Sequence, residues 1–542
     1  MKAILASLFL ILSSASYCQY FLEQDVFSGS YLEAYSFTQY DDHMYFLGEN
    51  EDVNQGIYKI SGQVGGVELL QDSDGNLLDG RAILGVFDNQ LYFSAAVAGQ
   101  PKEIWVSDGT IEGTEQFTEF SIPGAPEPGI GARYMEVLNG EMIFHASDLN
   151  TSIGNELWIS DGTPEGTQLL ADINPDGDGF VGSMYKWNDV IYFIGDDGTH
   201  GKELWRTDGT EIGTYMVKDI YEDGNGVLFL SPVIFEDKMW FTAISGGYGQ
   251  ELWSTDGTEE GTEMLIELFP GIESGIPYGT MLVIMNNRIY FTGNDEEHDH
   301  ELFSTDGTVE GTELVIDLAP GNFGSFPRQL TVYNDHLYFA ADALADMDEP
   351  NRLWVTDGTA EGTMQIGADL DIVAPRNFTL FENKLFFTSQ GENFIDLLWH
   401  TDGSDSGTIE LLPDDVAGDW YAQYYGNHFI FGGRLFFEAV LDGDADLWSY
   451  GSSDINLGTS DLPNTLRVQI YPNPSNGFVR IDSAEDLKLI RVYGLEGKVF
   501  KSLSMNGLSS SVIDLQELPN GIYFVEINSE NARCVKKVLI NH

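Results

Sequence analysis

Residues Glu156–Ile173 read ELWISDGTPEGTQLLADI, and the line recurs as ELWRTDGTEIGTYMVKDI from Glu203, ELWSTDGTEEGTEMLIEL from Glu251 and ELFSTDGTVEGTELVIDL from Glu301. Degenerate copies extend it both ways: EIWVSDGTIEGT at Glu103, RLWVTDGTAEGT at Arg352, LLWHTDGSDSGT at Leu397, a weak GIYKISG at Gly56 and a truncated DLWSYG at Asp446. The aromatic anchors fall at Tyr58, Trp105, Trp158, Trp205, Trp253, Phe303, Trp354, Trp399 and Trp448, spaced 45 to 53 residues apart. A second motif precedes each anchor, as MYF at Met44, LYF at Leu91 or IYF at Ile289. Strict alternation of two motifs at this period defines a repeated structural unit.

Each unit reads as four short strands. Around Phe303 they span Tyr278 to Met285, Arg288 to Gly293, Glu301 to Thr305 and Thr312 to Leu318, with turns at Asn286-Asn287 and Asp306-Gly307. β-branched and aromatic residues alternate along the strands, and the turn pairs tolerate the positive φ of tight hairpins. Two hairpins per unit predict an all-β protein whose body is a β-propeller of about nine four-stranded blades, with eight blades or an open arc as alternatives. The ninth copy stops after Trp448 without a fourth strand, while Tyr20-Phe21-Leu22-Glu23-Gln24-Asp25 lines up with the fourth-strand text Gln168–Asp172. The N-terminal strand is therefore expected to complete the last blade and hide both edges.

These copies resemble the ELWxxDGT repeat of bacterial extracellular proteins, over roughly Tyr20 to Tyr450. The resemblance implies a secreted or cell-surface location and no defined activity, since such a repeat names a scaffold.

The first residues have the layout of a secretory signal peptide: Lys2, an apolar run from Ala3 to Leu12, then Ser13-Ser14-Ala15-Ser16 before Tyr17-Cys18-Gln19. Residues 1–18 are read as that signal, with cleavage before Gln19. Acylation of Cys18 is the competing reading, but it calls for a small residue where Tyr17 stands. No other stretch holds the roughly 20 apolar residues of a transmembrane helix. Cys18 and Cys534 are the two cysteines, so no disulfide framework supports the fold.

From Arg467 to His542 nine Lys/Arg face eight Asp/Glu, whereas Ala3 to Leu466 carries 15 against 79. The acidity belongs to the body, and such a field repels nucleic acid and anionic lipid. The C-terminal text also changes character. Tyr471-Pro472-Asn473-Pro474-Ser475-Asn476-Gly477, Gly497-Lys498, Leu518-Pro519-Asn520-Gly521-Ile522-Tyr523-Phe524 and Lys536-Lys537-Val538-Leu539-Ile540 read as short strands joined by turns, a small Ig-like β-sandwich. Together these motifs resemble the type A sorting domain of the type IX secretion system in Bacteroidota. That resemblance implies export across the outer membrane through the type IX machinery, with the cargo released or attached to surface polysaccharide. The expected layout is signal 1–18, propeller 19–451, a Ser/Asp/Gly/Asn/Pro linker 452–465 and sorting domain 466–542.

The repeated DGT text reads as scaffold. Asp161 or Asp208 can bond amides within its turn, Gly162 or Gly209 supplies permissive φ, and Trp158 or Trp205 fills the gap between blades. A calcium loop is the sharper candidate: Asp172, Asn174, Asp176 and Asp178 match the first half of D-x-[DN]-x-[DN]-G, although Ser183 stands where a bidentate Glu belongs. Asp72-Ser73-Asp74-Gly75-Asn76 and Asp223-Gly224-Asn225 are related strings. His298 and His300 share strand spacing without a third ligand specified by motif. With 87 Asp and Glu, no particular carboxylate pair marks a glycosidase. The function expected is a non-catalytic binding protein for polysaccharide or a surface protein, the alternative a carbohydrate-active enzyme on the same scaffold.

Overall fold

Hairpins this tight need two consecutive residues with positive φ, and the sequence supplies them: Asp88-Asn89, Asn286-Asn287, Asn334-Asp335 and Glu382-Asn383 all adopt it. The computed structural model describes residues 18–24, 35–48, 55–61, 67–120, 132–148, 153–321, 324–342, 351–370, 372–390, 396–411, 420–422, 428–441, 444–452, 468–471, 478–493, 499–516, 518, 521–528 and 533–540. The proposed signal, apart from Cys18, and the linker, apart from Ser452, lie outside these residues. The chain divides into two compact units, Met1–Asn456 and Leu457–His542. Helical structure among the described residues is confined to the 3-10 turn Asp405–Gly407, and no helix is long and apolar enough to cross a membrane.

The larger unit is a series of antiparallel four-stranded meanders. One runs Met135–Leu138, Glu141–Asp148, Ile153–Ser160 and Gln168–Ala171, and four more follow in the same order as separate sheets, through Met364–Gln365. Before them an eight-stranded sheet comprises two such meanders, joined through the single pair Gly56↔Asp79. After them a nine-stranded sheet comprises two more, joined through Asp396↔Ala422. In the last meander the first strand is split into Trp420–Ala422 and Phe429–Phe431, both paired with Arg434–Leu441. Its next strand along the chain, Asp444–Ser452, pairs with Cys18–Gln24, Tyr20 opposite Tyr450 and Leu22 opposite Trp448. The first and last strands of the repeat body are thus hydrogen-bonded neighbours.

The expected first strand from Tyr278 is shorter than the pattern suggested, forming only over Val283–Met285. Pro277–Thr280 closes a turn instead, with the Thr280 amide donating to the Pro277 carbonyl at 3.2 Å and Gly279 at φ +77°. This is a type II geometry, which needs glycine at its third position.

Cores lie between meanders. Among the described residues nine apolar clusters occupy the body, eight drawing on two successive meanders and one on the first and the last. One joins Tyr192, Ile194 and Leu204 to Met239, Phe241 and Trp253. Another joins Phe46, Tyr58 and Ile60 of the first meander to Phe429, Phe436 and Leu447 of the last. There Phe37 stacks on Phe429 with ring centroids 4.0 Å apart. Burying each such ring contributes about 1.5–3 kcal/mol, so stability is distributed over the interfaces rather than held in one central core.

The smaller unit contains Val468–Tyr471, Phe478–Tyr493, Val499–Asp514, Gly521–Asn528 and Arg533–Ile540. The register of Phe478–Tyr493 shifts between Asp482 and Leu487. Its first half pairs with Val468–Tyr471 and its second with Gly521–Asn528, as a strand does in passing from one packed layer to another. Alternate residues Tyr523, Val525 and Ile527 face Val479, Ile481, Val538 and Ile540 in a core made wholly within this unit.

Candidate ligand-binding cleft

A carboxylate heading a strand should seek water, yet Glu103, Glu156, Glu203, Glu251 and Glu301 are all buried. Each is spent on backbone. The Glu156 oxygens accept from the amides of Ile173 at 2.6 Å and Gly179 at 2.7 Å. Glu203 accepts from Ile220, Tyr221 and Gly226, each at 3.1 Å, and Glu251 from Leu268 at 3.2 Å and Gly275 at 3.1 Å. In the copies headed by Glu156, Glu203, Glu251 and Glu301 the loop leaving the fourth strand is therefore clamped at both ends to its own third strand. A side chain at Gly179, Gly226 or Gly275 would collide with the clamping carboxylate. Arg352 occupies the same place two copies beyond Glu251 and reverses the polarity, donating to the Ile372 carbonyl at 3.1 Å. Sequence reasoning passed over these glutamates as part of the motif; their signal was an acid at a position where the strand pattern calls for burial.

Burial pushes Glu156, Glu203 and Glu251 up from 4.5 to about 7, against the lowering effect of the amide donors. The folded state then holds protons that the unfolded state has released, so the stability they contribute is full below pH 4.5 and lost as pH rises through about 7. We expect the melting temperature to fall by several degrees between pH 5 and 7.5. Glu203→Gln should flatten that slope; an unchanged slope would remove Glu203 from the account.

The DGT residues hold their own turn together. Asp161 Oδ1 accepts from the Thr163 amide at 2.9 Å and hydroxyl at 2.7 Å, and Thr163 Oγ1 accepts from the Gly166 amide at 3.0 Å. Asp208, Asp256, Asp306 and Asp357 repeat this, with their carboxyls lowered first by the threonine hydroxyl. Gly162 and Gly209 have φ near +90°. Trp158 and Trp205 pack in the clusters between meanders.

The calcium-like string is dispersed over hydrogen bonds of its own. Asp178 Oδ1 accepts from the Asn155 amide at 3.0 Å, and Asn174 Nδ2 donates to the Asp178 carbonyl at 3.1 Å. Asp172 and Asp176 point to solvent. The place of Asp178 is taken by Asn225, which accepts from Lys202 at 2.9 Å, and by Ser274, which accepts from Gln250 at 3.0 Å. What recurs is an acceptor oxygen, charged or neutral. Asp72 likewise caps the amides of Asp74 and Asn76 at 3.0 and 2.7 Å. His298 Nδ1 lies 3.1 Å from Asp295 Oδ1 while His300 engages Asp299, so the two imidazoles serve different carboxylates. Among the described residues no group of three or more His, Cys, Asp and Glu is arranged to hold a metal ion.

The clamped loops carry a feature that no motif announced. Phe180, Phe229 and Tyr278, spaced 49 residues apart, are large exposed rings just beyond successive clamp glycines. Tyr278 is the most exposed at 64%, held at the tip of its turn by Thr280 and by Gln250 Nε2, which donates to the Pro277 carbonyl at 3.1 Å. Opposite it, Phe326 takes φ +48°, an uncommon conformation for a bulky residue, and His300 stacks on its ring at 4.6 Å. Arg328 lies over the same ring at 5.8 Å. Between them is a cleft of about 330 Å³ walled by Tyr278, Met281, Thr292, Phe326, Arg328 and Gln329, with no carboxylate or imidazole in its lining. Exposed rings beside a guanidinium and amides suit a ligand that is flat and hydrogen-bonding.

None of the curated proteins matches the chain. Among solved structures, puromycin hydrolase is similar at 14% identity and TM-score 0.35, over 74% of this chain and 63% of that one. A prolyl endopeptidase is similar at 12% and 0.34, over 66% and 53%. The extracellular domain of a hybrid two-component system from B. thetaiotaomicron is similar at 10% and 0.25, over 94% and 91%. The chain thus spans between 53% and 63% of the two peptidase chains, and no activity carries over at such similarity. Residues 469–541 match the family described as the secretion system C-terminal sorting domain. The C-terminal segment is therefore a type IX sorting domain, and the protein is exported to the cell surface or beyond.

Proposed function

We propose that the exported body is a non-catalytic nine-bladed β-propeller that binds polysaccharide through the cleft at Tyr278. The layout is signal 1–18, propeller 19–451 built of ELWxxDGT repeats, linker 452–465 and sorting domain 466–542. Ring closure is supported by the pairing of Cys18–Gln24 with Asp444–Ser452 and by the apolar cluster shared between first and last meanders. The observation that carries the binding reading is a rigidly held, exposed Tyr278 facing Arg328 and Phe326 across a cleft whose lining lacks any acid–base pair. Sugar rings stack on such platforms while amide and guanidinium groups read their hydroxyls.

The purified mature protein on a glycan array should retain a neutral or mixed polysaccharide without cleaving it. Tyr278→Ala should weaken that binding by about tenfold or more, a loss of about 1.4 kcal/mol. Turnover of any glycan would replace this reading with that of a carbohydrate-active enzyme. Binding unaffected by Tyr278→Ala would place the site elsewhere.

A further inference from the structure

Packing accounts for what recurs in every copy, so large rings that face solvent and are confined to a few copies need another cause. Phe180, Tyr278 and Phe326 stand eight residues before Asn188, Asn286 and Asn334, each at the first hairpin turn of its meander, and Phe229 stands seven before Glu236. Counting back eight from the turn residues Asp88, Asn139 and Glu382 gives Gly80, Gly131 and Ala374 instead. The rings thus fall on four consecutive meanders, from the one beginning at Gly182 to the one beginning at Arg328.

The four loops that carry them are held alike. The residue before each clamping glutamate accepts a loop amide at its carbonyl: Asn155 from Gly179 at 3.0 Å, Lys202 from Val227, Gln250 from Ile276 and His300 from Phe326, each at 2.9 Å. Glu301 takes the amides of Leu318 at 3.2 Å and Ser325 at 3.0 Å, as the other three glutamates do in their own loops. Two rings are also backed on one face, Phe180 by Lys202 Nζ at 3.2 Å and Phe326 by His300 at 4.6 Å. Rings fixed in this way lose little freedom when a ligand settles on them. Apolar clusters join each of these meanders to the next, which sets the loops side by side. Sheets packed face to face lie about 10 Å apart, so the row extends over roughly 30 Å.

We propose that this row is an extended site for the interior of a long, uncharged polysaccharide, each ring taking a successive stretch of the chain. The inference rests on the polysaccharide reading of the Tyr278 cleft and adds chain length and charge to it. The rings sit singly on loops that are otherwise polar, with Asn174, Asn225 and Ser274 among their residues, unlike the continuous apolar patch that a protein partner covers. A polymer of repeating sugar rings meets such platforms at intervals. The same loops expose Asp176, Asp178, Glu222, Asp223 and Glu273, which oppose an acidic chain.

The test is calorimetric titration of the full mature protein with fragments of cellulose, xylan, mannan and amylose, each as disaccharide and hexasaccharide, and with hexagalacturonate. At least one neutral hexasaccharide should bind at least about tenfold tighter than its disaccharide, because linked contacts reinforce one another. Phe180→Ala and Phe229→Ala remove exposed side chains and should each weaken that hexasaccharide about three- to tenfold, leaving the disaccharide affinity and the melting temperature unaltered. Tyr278→Ala should weaken both lengths. Ile212→Ala should change neither, since Ile212 is exposed in the DGT turn at the other end of its meander. Equal affinity for the two lengths, indifference of the hexasaccharide to Phe180→Ala and Phe229→Ala, or an equal loss with Ile212→Ala would overturn the row while leaving the Tyr278 cleft standing. Failure of every fragment at both lengths would overturn the cleft as well. Hexagalacturonate binding as tightly as the neutral chain would overturn the assignment of charge.

Discussion

Deleting residues 469–541 is expected to abolish appearance of the protein outside the cell while the body still folds. The matched sorting domain is the export determinant, so without it the chain should accumulate on the inner side of the outer membrane. Folding of the body should survive because, among the described residues, none of its nine apolar clusters uses a residue beyond Tyr450, and the core of the smaller unit runs only from Val479 to Ile540. The near-neutral charge of the tail against the acidic body fits two modules under different constraints. Immunoblots of fractionated cells would check the prediction, with circular dichroism of the truncated protein confirming its strand content. Export of the truncated chain at the level of the full one would refute it.

The repeat body was legible because packing repeats. Every meander needs an aromatic anchor and a tight third-to-fourth strand turn, so those residues recur at a fixed period and the fourth-strand text is recognisable even at Tyr20. Groups outside the repeated text are harder to read, because their partners lie far away in sequence. Asp178 is read as a calcium ligand from its acidic near neighbours in sequence, and its carboxylate also accepts from the Asn155 amide, 23 residues back. The glutamate clamps were obscured by abundance, five positions among 87 Asp and Glu. Tyr278 was read as strand because an aromatic beside β-branched residues fits a strand; the deciding fact was the Pro277–Thr280 turn. The pocket lined by Tyr35, Arg81, Lys102, Arg133 and Tyr134 is likewise assembled only by the packing of three meanders.

Gly257→Ala is expected to destabilise the body by about 2–5 kcal/mol, combining backbone strain with overpacking. Gly257 belongs to the DGT turn of one meander, with φ +92°, and an added Cβ there would strike the Tyr192 hydroxyl of the preceding meander. Tyr192 is buried in the cluster that joins the two, so it has little room to withdraw. The same meeting recurs between Tyr45 and Gly109, Tyr290 and Gly358, and Tyr338 and Gly403. It explains why the two motifs alternate: the tyrosine of one motif packs against the turn glycine of the other, one meander on. Gly247→Ala provides the control, since Gly247 has φ +90° with nothing within 4 Å of the added carbon. It should cost only the left-handed strain of about 1–2 kcal/mol. Tyr192→Phe in the Gly257→Ala background should recover part of the difference by removing the obstructing oxygen. Urea unfolding of the four proteins measures these terms. Equal losses for Gly247→Ala and Gly257→Ala would mean that the turn glycines serve backbone geometry alone and that the meanders are not locked through them.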